Sequence, residues 1–396
     1  MNPWKIINNW ERRLYTNWLR VKTFSKLKTI CQGLHQTIFS LKKNHFSILL
    51  SLTVITVLLI SGLAKSSLAA IKVSTSDFNG DGKSDILWRH STIGANAIWL
   101  MNGANPTLAT NIQNDPDLNW KIVGTGDFNA DGRSDILWRN VIQGINRIWL
   151  MNGATVVASS RLLDVLDLNW KVVGTGDFNA DGRSDILWRH STTGDNAIWF
   201  LNGATVSLAT NIQSDRDIDW KIVGTGDFNA DGRSDILWRN VTQGTNRIWF
   251  MNGATVVASS RILDALDLNW KVVGTGDFNA DGRSDIAWRH STIGDNAIWF
   301  LNGATVSLAT NIQSDRDINW KIVSTGDFDG NGRSDILWRN VKQGINRIWF
   351  MNGAAVASNA PLLEVTDLNW GVVSTGTQYS PPPFDKDTQR VPTGSR

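Results

Sequence analysis

An all-β fold, a β-propeller of six four-stranded blades of about 50 residues each, is what this 396-residue sequence predicts, and three observations carry the prediction. The segment Asp77-Phe78-Asn79-Gly80-Asp81-Gly82-Lys83-Ser84-Asp85 returns at Asp127, Asp177, Asp227, Asp277 and Asp327, a period of 50 residues held six times. Within each unit the text reads as strand, loop, strand, turn, strand, turn, strand. Strands such as Ala197-Ile198-Trp199-Phe200-Leu201 are apolar on both faces, so each small sheet needs cover on both sides, as blades around an axis provide.

Before the repeats lies a segment of different character. Ten of the 39 basic residues but only one acid, Glu11, fall within the first 70 residues, which leaves residues 71–396 at a net charge of −6 although the whole chain stands at +3. A domain that holds phosphates would carry the positive charge itself, so a nucleic-acid partner is not expected. Residues 1–44 form a basic segment that remains cytoplasmic. Residues 45–70 form a hydrophobic helix, with an uncharged run from Phe46 to Ala64 followed by the small residues Ser67-Leu68-Ala69-Ala70. A cleaved signal peptide and a retained signal-anchor both fit this pattern, and both imply export to the cell surface or beyond. A membrane is then met only through this segment, if it stays uncleaved. The single cysteine, Cys31, lies in that leader, so the exported part has no disulfide and must be held together by other means.

The repeats, residues 71–376, follow. In the second unit the strands are expected at 120–128, 135–140, 146–153 and 155–163, with a turn around Gly144. Three tryptophans per unit, such as Trp88, Trp99 and Trp120, lie inside these strands and are expected to pack blade against blade, with ligand pockets between blades as the other reading. Units alternate in kind. Those at 77, 177 and 277 contain Trp-Arg-His-Ser-Thr, as at Trp188–Thr192, and those at 127, 227 and 327 contain Trp-Arg-Asn, as at Trp238–Asn240, so a 100-residue double unit occurs three times. The Trp-Lys-Ile-Val-Gly-Thr-Gly type of strand occurs seven times, from 70–76 to 370–376, against six Asp-rich loops. Six blades with 370–376 closing the ring fits this count, whereas a seventh blade would need strands that are missing. Residues 377–396, with Pro381-Pro382-Pro383, read as a disordered tail.

The loop carries the chemistry. In Asp127-Phe128-Asn129-Ala130-Asp131-Gly132-Arg133-Ser134-Asp135, oxygen side chains fall at positions one, three, five and nine, with glycine at six and a backbone carbonyl available at seven. This is the spacing of a loop that wraps a hard cation. An all-oxygen set suits Ca²⁺, whereas zinc takes His or Cys and Mg²⁺ keeps several waters. Three carboxylates in nine residues repel one another without a cation, although Asp, Asn and Gly also form such turns unaided. Position twelve is Trp138 rather than Glu, and strands flank the loop, so it is not an EF-hand. Six filled sites would carry residues 71–396 from −6 to +6.

These loops resemble the FG-GAP/VCBS-type repeats of integrin-alpha-like β-propellers, whose cation loops read D-x-[DN]-x-D-G-x-x-D between two strands of a blade. The resemblance covers about residues 70–376, without the literal Phe-Gly and Gly-Ala-Pro marks of the integrin version. It implies a Ca²⁺-stabilised propeller that is secreted or on the cell surface and used for adhesion, recognition or as an accessory to enzymes. It also implies up to six Ca²⁺ ions and a ligand set for each, with position seven contributing its carbonyl. The sets are Asp77, Asn79, Asp81, Lys83 and Asp85; Asp127, Asn129, Asp131, Arg133 and Asp135; and Asp177, Asn179, Asp181, Arg183 and Asp185. The later loops contribute Asp227, Asn229, Asp231, Arg233 and Asp235; Asp277, Asn279, Asp281, Arg283 and Asp285; and Asp327, Asp329, Asn331, Arg333 and Asp335.

The expected function is that of an exported calcium-binding module for binding or adhesion, with an unidentified protein or glycan ligand outside the cytoplasm. A lectin, with sugars stacked on Trp and bonded to Arg89, His90 or Asn196, is the alternative. An enzyme acting on polysaccharides is the weakest reading. Beyond residue 70 the only histidines are His90, His190 and His290, and His190, Ser191 and Asp195 are the one nucleophilic triad that can be assembled on paper.

Overall fold

The computed structural model describes residues 76–373, which form six four-stranded antiparallel sheets and, among the described residues, no helix. Blade two shows the plan. Its strands are Trp120–Gly126, Asp135–Asn140, Asn146–Asn152 and Thr155–Arg161, neighbours in that order from the axis outward. Blades three to six repeat it at 170–212, 220–262, 270–312 and 320–361. Blade one takes Ile86–His90, Asn96–Asn102 and Asn105–Ile112 from one end of the repeats and its inner strand, Trp370–Val372, from the other, with Trp88 opposite Val372 and His90 opposite Trp370. The sixfold closure expected from the strand count is therefore the one observed. The leader at 1–44 and 45–70, the first strand copy at 70–75 and the tail at 377–396 lie outside the described residues.

The inner strands of blades two to six each carry a bulge, after Ile122 in blade two, and each third strand carries another, after Leu150 in blade two. Bulges increase twist, which small sheets need to stand side by side around an axis. The inner strands are tied to one another. Thr175 Oγ1 donates to the Thr125 carbonyl at 2.7 Å, and Thr225, Thr275 and Thr325 each repeat this toward the blade before. On the outer strand of blade two, Thr155–Arg161, exposed and half-buried residues alternate, and the other outer strands are exposed over most of their length, as Thr205–Ile212 is.

The core is six separate cores, one between each pair of blades. Phe128, Leu137 and Ile148 of blade two pack against Ile186, Trp188, Trp199 and Leu201 of blade three, and equivalent clusters close the circle as far as Phe328, Leu337 and Ile348 against Trp88 and Trp99. Alternation along one strand does this: in Asp135–Asn140, Ile136 and Trp138 face blade one while Leu137 faces blade three. The tryptophans of the second and third strands pack as tilted pairs, Trp138 and Trp149 with ring centroids 4.6 Å apart, and both are fully buried. Blade packing thus uses the rings as the sequence led us to expect.

Candidate metal centres

In blades two to six the Asp-rich loop joins the inner strand to the second strand, and the loop at 77–85 leads into the second strand of blade one, so the six loops lie at one end of the ring. Backbone geometry folds the loop. Gly132 has φ +82°, and a Cβ there would meet nothing within 4 Å, so the requirement for glycine is conformational and not one of space. Ala130, Ala180, Ala230 and Ala280 at position four also have φ of 60–61°, a strained choice for a residue with a Cβ, whereas Gly80 and Gly330 occupy this position in the first and last loops.

The side chains named from the sequence come together, and part of their capacity holds the loop itself. Asp127 Oδ1 accepts the N–H of Asp131 at 3.2 Å and its Oδ2 that of Gly132 at 2.8 Å. Asn129 Oδ1 accepts from the Asp131 N–H, and Asp131 Oδ1 from the Arg133 N–H, at 3.0 and 2.9 Å. Asp135 is fully buried and bridges two strands, accepting the Phe128 N–H at 3.1 Å through Oδ2 and the Met151 N–H at 2.8 Å through Oδ1. Burial pushes the Asp135 carboxyl up to about 7, with Asp131 and Asp127 adding like-charge repulsion against the two backbone hydrogen bonds. The same causes raise Asp85, Asp235, Asp285 and Asp335 to about 7 and Asp185 to about 8. Asp127 is also raised, by burial first.

The donor set fits a hard divalent cation: it is all oxygen, anionic, and its innermost carboxyl carries an electrostatic burden that a bound cation would remove. In each loop the side chains at positions one, three, five and nine, with the carbonyl at seven, are the groups that would hold it. The ion would cancel the mutual repulsion of the carboxylates and lock the loop.

Sequence reasoning missed how the loops are joined. The Ser134 N–H donates to the Asp77 carbonyl of the loop before at 2.6 Å, and Ser184, Ser234, Ser284 and Ser334 repeat the bond at 2.7 Å; Ser84 completes the circle on Asp327, also at 2.7 Å. A second circle runs from the turns between third and outer strands, Gly153 N–H to the Phe78 carbonyl at 2.8 Å and so on to Gly103 and Phe328 at 2.9 Å. The signal in the sequence was the fixed Ser before the last Asp of every loop, which ligand spacing alone leaves unused.

At the opposite ends of the same strands, the other candidate residues serve the fold. Arg89 is half-buried and donates to Asn96 Oδ1 and to the Gly94, Asp115 and Trp120 carbonyls, with its guanidinium 4.7 Å from the centroid of Trp138 in the next blade. Arg139, Arg189, Arg239, Arg289 and Arg339 do likewise, the last over Trp88, so six cation–π contacts also close on themselves. Asn196 is fully buried between Arg189 and the Gln213 carbonyl. His190 Nδ1 accepts the Thr193 N–H, which leaves Nε2–H to donate to Asp167 Oδ2 at 2.9 Å. The Asp195 carboxylate instead accepts from Thr193 and Ser214, so the triad written from sequence has no hydrogen bond from the His190 ring to the carboxylate of its acid. His90 and His290 bond Asp367 and Asp267 in the same way, and Asn140, Asn240 and Asn340 replace them in the alternate blades against Asp117, Asp217 and Asp317. The Arg89, His90 and Asn196 groups offered to a sugar are thus spent on internal bonds. The half-buried inner-strand tryptophans are covered too, Trp120 by Arg147 at 4.1 Å and Trp170 by the edge of His190 at 5.2 Å.

Comparison with known proteins places this geometry. The family model described as FG-GAP-like repeat matches residues 77–138, 177–238, 227–288 and 277–338, together more than half of the chain. The chain belongs to the FG-GAP-like repeat family. Each matched FG-GAP segment runs from the first Asp of one loop into the second strand of the following blade, and so spans two successive Asp-rich loops. No curated protein matches the chain. Among solved structures, virginiamycin B lyase from Staphylococcus aureus is similar at 7% identity and a TM-score of 0.45, over 76% of this chain and 88% of that one. A chain of the nidogen/laminin complex is similar at 11% identity and a TM-score of 0.47, over 70% of this chain and 93% of that one. The Tc holotoxin pore of Photorhabdus luminescens is similar at 12% identity and a TM-score of 0.47, over 71% of this chain and 15% of that one. At these identities and scores the likenesses say nothing about what this chain does.

Proposed function

We propose that this FG-GAP-like repeat protein is an exported, calcium-stabilised β-propeller that acts as a non-catalytic binding or adhesion module at the cell surface or outside the cell. The observation that carries the reading is the set of six all-oxygen loops, each built around a buried carboxyl pushed up to about 7 or 8 and each hydrogen-bonded to the next. A cation in each loop would relieve that burden and stiffen the loop circle without any disulfide. Export is supported by the uncharged run Phe46–Ala64 and the small residues that follow it. Extracellular calcium sites work at about 10⁻⁴ to 10⁻³ M, where the ion is plentiful outside cells. Repetition supplies the rationale for binding: three double units on one ring present equivalent surfaces to a repetitive protein or glycan partner, and linked weak contacts gain avidity. Commitment of Arg89, His90 and Asn196 to internal bonds weighs against the lectin reading, and that of His190 against catalysis.

The test is thermal unfolding of the purified full chain in EDTA, in millimolar Ca²⁺ and in millimolar Mg²⁺. A rise of Tm with Ca²⁺ well above that with Mg²⁺ is expected, because binding to the folded state alone stabilises by about 0.4–1.4 kcal/mol per site at one to ten times Kd, repeated over the loops. Equal Tm in EDTA and Ca²⁺ would reduce the loops to turns and end the calcium reading.

A further inference from the structure

The six loops are not equivalent. In the last one Asp329 and Asn331 exchange the residue types that hold positions three and five in the other five. A carboxylate oxygen of each of Asp327, Asp329 and Asp335 lies within 4.8 Å of the other two, the one such group of three acids among the described residues. In the other five loops the third charge sits at position five, and in four of them it faces the loop's own cation. Asp81 is 3.8 Å from Lys83, Asp131 is 3.9 Å from Arg133, Asp181 is 3.6 Å from Arg183 and Asp281 is 3.9 Å from Arg283. With Asn331 at position five, no carboxylate stands there for Arg333 to neutralise. Three converging charges attract a divalent ion more strongly than two, with a third already paired beside them.

This loop also borders the place where the ring closes. The Asp327 carbonyl accepts the Ser84 N–H at 2.7 Å and the Phe328 carbonyl that of Gly103 at 2.9 Å. The Lys83 side chain lies across Gly330, where a Cβ would stand 3.4 Å from its Cγ and Cε. We propose, resting on the calcium reading above, that the loop at 327–335 is the tightest of the six calcium sites and that its occupancy fastens the seam between blade six and blade one.

The test is calorimetric titration of the chelator-stripped full chain with CaCl₂, with hydrogen exchange of Ile86–His90 followed at each added equivalent. One equivalent is expected to bind about tenfold more tightly than the rest, since charge convergence tunes such loops over orders of magnitude. Protection of Ile86–His90 is expected to rise with that first equivalent. Exchanging Asp329→Asn with Asn331→Asp keeps the charge but restores the common pattern; the tight phase should vanish while total uptake is unchanged. The converse exchange in the third loop, Asn179→Asp with Asp181→Asn, should add a second tight equivalent that leaves seam protection unaltered. Six indistinguishable sites, or a tight phase that survives the exchange at 329 and 331, overturns this proposal and leaves the calcium reading standing. Absence of uptake by every loop overturns both.

Discussion

Replacing Gly176 by Ala probes how closely neighbouring blades meet beside the loops. Gly176 ends the inner strand of blade three, and a Cβ there would stand 2.3 Å from Ser234 Oγ and 2.7 Å from Ser234 Cβ in the loop of the next blade. Carbon atoms pack at about 3.5–4.0 Å, so the two loops would have to part by roughly 1 Å. Ser234 does not yield cheaply, because its N–H is held by the Asp177 carbonyl at 2.7 Å. Overpacking of this kind costs about 1–3 kcal/mol, and the lower chain entropy of unfolded Ala returns about 0.4–1 kcal/mol, since φ at Gly176 is not in the left-handed region. The net loss is about 1–2 kcal/mol, or roughly 2–6 °C in Tm for a domain of this size. Ser234→Gly removes both offending atoms, so the double variant should recover most of the loss. Urea unfolding followed by tryptophan fluorescence on the wild type, both single variants and the double closes the cycle, with an expected coupling of at least about 1 kcal/mol. Wild-type stability of Gly176→Ala, or strict additivity of the pair, would refute the close approach and the circle of loop contacts that depends on it.

The alternation of blades gives a second cycle. Arg147 pairs with Asp115 across the blade boundary and stacks on Trp120, whereas Ala197 and Val165 fill the same two positions one blade on. Arg147→Ala alone strands a largely buried carboxylate and should cost about 3–5 kcal/mol, while Arg147→Ala with Asp115→Val should recover much of it in the same urea assay. The buried loop carboxyls give a pH signature. Their pKa is about 7 folded against 3.8 unfolded, so the folded state binds more protons and the metal-free protein should lose the stability these groups contribute as pH rises from about 4 to 7. Calcium competes with those protons, so Tm measured in Ca²⁺ should not fall over the same range, and a flat profile in EDTA would contradict the assigned burial.

Much of this architecture was legible because the chain states it six times. The period fixed the number of blades, and apolar faces on both sides of strands like Ala197–Leu201 required neighbours on both sides. Strand bounds expected in the second unit match those observed to within two residues, since glycine turns mark the boundaries between its four strands. Ligand spacing brought the loop residues together but hid their second role, because a carboxylate that can hold a cation also holds backbone N–H groups, as Asp135 does on Phe128 and Met151. What stayed illegible were contacts between units. Nothing in the local text says that Arg139 reaches Trp188 of the next blade or that His190 reaches Asp167 just before the inner strand of its own blade, because only the paired and packed strands bring such partners near.

These contacts explain why the repeats tolerate two kinds of blade. His190 and Asn140 differ in size and charge, yet each donates to the aspartate that precedes an inner strand, Asp167 or Asp117. Where Arg147 is lost to Ala197, Asp115 is lost to Val165, so neither blade type keeps a buried charge without its partner. Substitutions that would be costly alone are thus exchanged as sets, and each set is split between adjacent blades. A ring assembled this way has to alternate strictly, since two blades of one kind side by side would set Arg against Val or Ala against Asp. Insertion or loss of a single 50-residue unit is therefore far more damaging than that of a 100-residue pair, and the pair is the unit in which this propeller can grow or shrink.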